Sequence, residues 1–169
     1  DLDGVLVDTK KIHFDSLNKA LKFVKANEIS FKDHLNIYDG LPTIEKLQIL
    51  NKKKILNKKY NRIVVKKKQK ITIQLLNKFI LYNPKIYKTF LKLSKKYQIS
   101  IATNAVKKTL DLCLKKLKIK KFITFSYSNE DVKKTKPHPE VYLRCLVKMG
   151  LKPSETLIFE DSHHGVMAA

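Results

Sequence analysis

No apolar run in the sequence approaches the roughly 18 residues that a membrane-crossing helix needs, and the start is acidic rather than signal-like. Neither a membrane span nor a secretory signal is therefore expected. Cysteine is scarce. Cys113 and Cys145 each sit within an amphipathic stretch, the pattern of two buried thiols in a reducing compartment rather than of a disulfide framework, and the expected location is the cytoplasm. Arginine is scarce as well: of 36 Lys and Arg residues only Arg62 and Arg144 are arginine, and acidic residues number 15. The resulting formal charge of +21 raises the question of nucleic acid. A nucleic-acid binder usually concentrates its basic residues, mixes in arginine and interleaves aromatic side chains for stacking. The lysines here are spread along the whole chain, together with abundant Ile and Asn, so solvated faces are expected and no nucleic-acid partner. A basic, non-catalytic binding module stays as the alternative class, with salt-sensitive nucleic-acid binding as its signature. Such a surface also steers anionic substrates, phosphate esters included.

What remains is the composition of a soluble globular protein, 43% hydrophobic and 30% charged over 169 residues, enough for a core plus a small accessory domain. Apolar residues Ile12, Phe14, Leu17, Ala20, Leu21 and Val24 recur at three and four, predicting a helix over 11–25. A turn falls at 38–42, followed by helix through Ile44, Leu47, Leu50 and Ile55 and another over 69–81. The lysine runs 52–54 and 66–68 are expected to face water. The second half alternates: a helix opening at Pro84, a strand at 98–103, a helix over 106–117, a strand at 122–126, a helix through Val141 and Leu146, and a third strand at 156–159. This order predicts βαβ units on a parallel sheet, hence an α/β fold.

Ligands of open parallel sheets bind beyond the carboxyl ends of the strands, and the polar clusters fall there. Asp1 and Asp3 begin the chain, Thr103 and Asn104 follow one strand, Lys136 follows the next, and Glu160 with Asp161 follow the last. Gathered carboxylates repel one another unless a cation joins them. Asp1, Glu160 and Asp161 can share magnesium, which prefers oxygen ligands. Asp1 can then attack phosphorus in line, while Asp3 is spaced to protonate the leaving oxygen and afterwards activate water. Thr103 and adjacent backbone N–H groups can hold phosphate oxygens, and Lys136 offsets the gathered negative charge.

DLDGVLVD, IATNA, KPHPEVYL and IFEDSHHGVMAA resemble, in this order, the four motifs of haloacid dehalogenase-like hydrolases. The closest likeness is to the helical-cap subfamily that includes β-phosphoglucomutase-like and phosphoglycolate phosphatase-like members. The resemblance implies a Rossmann-like core at 1–8 and 82–169 with an inserted helical cap at 9–81. It implies Asp1 as the aspartyl-phosphate nucleophile and Asp3 as general acid/base, with Thr103, Asn104 and Lys136 at the phosphate. Magnesium would be held by Asp1, the Asp3 carbonyl and Asp161, with Glu160 assisting. Dehalogenating members lack the second aspartate, so Asp3 points to phosphate chemistry. His13 matches a histidine that faces the active site in several members. Gly40 opens a stretch like the cap loop, but Thr43 stands where mutases carry arginine, which favours a phosphatase of a small phosphorylated metabolite over a sugar-phosphate mutase. The adjacent His163 and His164 make a poor zinc pair. His138 reads as a loop spacer, and His34 has no evident partner. The chain starts at Asp1 without an initiator methionine and ends at Ala169 inside a helix start. It reads as a fragment, incomplete at both ends of the core, and is expected to be less active than its full-length parent.

Overall fold

Helical periodicity dominates the first half of the chain, and helices follow from it. In the computed structural model, which describes residues 1–169, α1 spans Lys10–Phe23, α2 Phe31–Asp33, α3 Thr43–Lys52 and α4 Asn61–Phe79. Residues Thr9–Phe79 form one compact unit, and Asp1–Asp8 with Ile80–Ala169 form a second.

In the helical unit the apolar stripe of α1 packs on α4, around Leu17, Ala20, Leu21, Leu47, Leu50 and Val64. Polar side chains tie the packing where backbone groups would otherwise be stranded. The Asn18 amide donates to the Ile29 carbonyl and accepts from the Ile29 N–H, both at 2.9 Å. The Thr72 hydroxyl donates to Ser16 at 3.0 Å, joining α4 to α1. α4 starts at Asn61, eight residues before the periodicity at 69–81 predicts, because Lys68 and Thr72 on its inward face interrupt the apolar pattern that Val64 begins. One expectation fails here. Lys66 is exposed, but Lys68 is buried, since it occupies the stripe Val64, Lys68, Thr72, Leu76 that repeats every fourth residue on the inward face of α4.

The second unit carries α5 (Pro84–Leu93), β1 (Ser100–Ala102), α6 (Lys107–Lys116), β2 (Phe125–Tyr127), α7 (Glu140–Met149) and α8 (His163–Ala168). The Asn83 side chain caps α5 by accepting from the N–H groups of Lys85 and Ile86. β1 and β2 pair in parallel, Ile101 opposite Ser126, giving a mixed α/β fold that is mostly helical. The strand expected at 122–126 begins later, because 120–122 coil into a single 3-10 turn. Segment 156–159, expected as a third strand, is not one. Thr156 is extended and the Phe159 carbonyl accepts from the Asp1 nitrogen at 2.8 Å, but one bond does not make a ladder. Ile158 packs inward on α7 while Leu157 and Phe159 stay exposed.

No helix is long and apolar enough to cross a membrane. Lys25, Lys54 and Lys118 have φ near +57° just past the ends of α1, α3 and α6, a left-handed conformation that glycine adopts more easily.

Candidate active site

The Asp1–Asp8 segment closes on itself. Gly4 N–H donates to the Val7 carbonyl at 2.7 Å and Leu6 N–H to that of Leu2 at 2.9 Å, with Leu2 fully buried. Gly4 holds φ +80°, and a Cβ there would overlap the Asp161 carboxylate. Gly165, in the first turn of α8, stands in the same relation to Glu160. Both glycines are required by close approach, and Gly4 by conformation too.

Lys136 is the centre of the cluster. Its ammonium donates to Asp1 Oδ1 at 2.9 Å, to the Ala102 carbonyl at 2.8 Å and to Glu160 Oε1. Only 3% of its side chain and 4% of that of Glu160 are exposed. A buried lysine is rare unless paired, and here three acceptors satisfy its three donors. The Asn104 amide fixes the Lys136 backbone reciprocally, accepting from its N–H at 3.0 Å and donating to its carbonyl at 3.2 Å. Burial lowers the Lys136 pKa, opposed by the hydrogen bond and charge of Glu160. Burial works to raise that of Glu160, but hydrogen bonds from Lys136 and Tyr142 prevail and hold it below the usual carboxylate range. Glu160 is therefore an anion at neutral pH.

Asp1, Glu160 and Asp161 each offer an oxygen within 4.8 Å of the others, a set of hard donors suited to a hard divalent cation. Thr103, at the carboxyl end of β1, is buried, and its hydroxyl accepts from Ala105 N–H at 3.1 Å. One of the amides expected to face a ligand is thus turned to Thr103 itself. The Lys107 N–H at the start of α6 donates to Glu130 at 2.9 Å. Asp3 belongs to the same unit, and its charge is felt by Lys136. His13 lies on α1 in the helical unit, as does Thr43 at the start of α3. His163 and His164 open α8 with ring centres 6.0 Å apart, and His138 accepts from Glu140 N–H in the loop before α7. Both thiols are buried and unbridged.

Two members of the cluster escape sequence reasoning. Tyr142 donates its hydroxyl to Glu160 Oε1 and lays its ring 4.9 Å from the Lys136 ammonium. Ser162 caps α8 by accepting from Gly165 N–H at 3.0 Å, while its hydroxyl is 3.4 Å from Glu160 Oε2. Tyr142 sits on an apolar helix face and reads as core; only its six-residue distance from Lys136 hints otherwise.

The family model of haloacid dehalogenase-like hydrolases matches residues 1–169. No curated protein matches the chain. Among solved structures, it is similar to β-phosphoglucomutase from Clostridium difficile, at 22% identity and a TM-score of 0.83, covering 99% of this chain and 77% of that one. A protein from Haemophilus somnus 129PT, described as a predicted phosphoglycolate phosphatase, matches with the same four figures. CbbY from Rhodobacter sphaeroides, solved in complex with phosphate, matches at 16% identity and a TM-score of 0.86, over 99% of this chain and 78% of its own.

Proposed function

The chain belongs to the haloacid dehalogenase-like hydrolase family, and from that membership we propose that this enzyme is a magnesium-dependent phosphatase of a small phosphorylated metabolite. The observation that carries the reading is the three-acceptor clamp on Lys136, which gathers Asp1 and Glu160 around one buried cation and leaves a carboxylate oxygen of each uncommitted to it. Asp1, Glu160 and Asp161 would hold magnesium, a fit that their mutual spacing supports. When bound, the metal would supply charge neutralisation for the approach of two anions.

In this reading the chain's own residues do the rest. Asp1 attacks phosphorus, its carboxylate aimed by the Lys136 ammonium, and an aspartyl-phosphate forms as the alcohol departs. Asp3 gives the leaving oxygen its proton, then takes one from the water that hydrolyses the acyl phosphate. Lys136 and the Thr103 hydroxyl balance charge on the transferred group, the electrostatic contribution that dominates phosphoryl transfer. Asn104 positions Lys136 through its backbone. The Thr9–Phe79 unit takes the part of the family's helical cap, where His13 is a candidate for substrate contact. Asp1–Asp8 with Ile80–Ala169 take that of the core. Thr43, in place of the arginine of mutases, favours release of phosphate over its return to a sugar.

Hydrolysis of an aryl phosphate tests the mechanism. We expect turnover that requires Mg²⁺ and falls about a thousandfold or more in Asp1→Asn, with inorganic phosphate as product. Hydrolysis that survives both Asp1→Asn and EDTA overturns the reading, and an isomerised sugar phosphate would replace phosphatase with mutase.

A further inference from the structure

The two oxygens of Glu160 have different surroundings. Oε1 accepts from both the Lys136 ammonium and the Tyr142 hydroxyl. Oε2 accepts only from the Ser162 hydroxyl, at 3.4 Å, while the carboxylate as a whole lies against Gly165, where no side chain intrudes. A carboxylate oxygen offers about two lone pairs, so two donors saturate Oε1 and leave Oε2 as the oxygen available to a cation. Tyr142 is well held for this task. It is 8% exposed, packs with Ala102, Val141, Cys145 and Ala168, and carries the Lys136 ammonium over its ring at 4.9 Å.

We propose that Tyr142 is a positioning residue that restricts Glu160 to ligation through one oxygen, and so biases the site toward magnesium and against calcium. The inference rests on the metal reading above. Magnesium takes single oxygens in a near-octahedral shell, whereas calcium takes six to eight ligands and readily accepts both oxygens of one carboxylate. Removing the phenolic hydroxyl returns a lone pair to Oε1 and gives calcium the second contact.

The test is calorimetric titration of Mg²⁺ and Ca²⁺ into the whole chain and into Tyr142→Phe, with melting curves to verify the fold. The expected result is a shift of the Ca²⁺/Mg²⁺ affinity ratio toward calcium by about tenfold. An unchanged ratio in a folded Tyr142→Phe overturns the inference and leaves the metal reading intact. Absence of any divalent binding to the unmodified chain overturns both. A second measurement needs no variant: the infrared difference between calcium-loaded and metal-free protein labelled with ¹³C-glutamate. Glutamate stretches with one-oxygen splitting are expected, and a chelating signature overturns the proposal.

Discussion

At the scale of single residues, the cluster depends on side chains that are absent as much as on those present. Gly165 leaves the space that the Glu160 carboxylate fills, and a methyl group there would collide with it. Because Glu160 is fixed from its other side by Lys136 and Tyr142, it has little freedom to retreat. Gly165→Ala is therefore expected to weaken Mg²⁺ binding by about tenfold or more while leaving the melting temperature of the helical unit unchanged, as calorimetry and thermal scans would check. Although the strand expected before Glu160 is not formed and the cluster is held by the Lys136 side chain instead, the grouping of Asp1, Lys136 and Glu160 was legible in the sequence as ordered polar clusters. The contribution of Tyr142 was not. A tyrosine on a buried helix face carries no mark of its hydroxyl's partner, which here lies 18 residues farther on.

At the scale of elements, periodicity revealed α1, α5, α6 and α7 because each keeps an apolar stripe at helical spacing. It missed the opening of α4 and the burial of Lys68, since a lysine inside a stripe looks like a break in it. It assigned a strand to 156–159 from an apolar, β-branched run, but strand identity depends on a pairing partner that local sequence does not contain. Loop closure was equally hidden. The return from α1 is fixed by Asn18, whose amide holds both backbone groups of Ile29. Asn18→Ala strands a buried N–H and a buried carbonyl together. It should cost about 3 kcal/mol of stability, read as a lower urea midpoint, whereas an exposed change such as Lys19→Ala should leave the midpoint almost unmoved.

At the scale of the molecule, pH acts on the helical unit through His34. This side chain is fully buried, with the rings of Phe14 and Phe31 centred 5.6 and 6.1 Å away. Burial, then the charges of Lys46 and His13, push its pKa down from 6.5 to about 4. Above pH 6.5 the histidine is neutral in both states and stability does not depend on it. Between 6.5 and 4 the unfolded chain binds a proton that the native side chain refuses, so stability falls as pH falls. Below 4 the loss is complete, at about 3 kcal/mol. Urea midpoints measured from pH 7.5 to 3.5 should show this slope, and His34→Phe should flatten it between 6.5 and 4. A slope unchanged in a folded variant would remove His34 as its cause.

The left-handed lysines past the ends of α1, α3 and α6 bear on how the chain tolerates change. Each is a termination point where glycine would relieve roughly 1 kcal/mol of backbone strain, so Lys25, Lys54 and Lys118 together hold an unspent reserve of robustness. A sequence drawn so heavily toward lysine has filled even the positions where its backbone suits them least. A variant with glycine at these three points would gain latitude to accept damaging substitutions elsewhere.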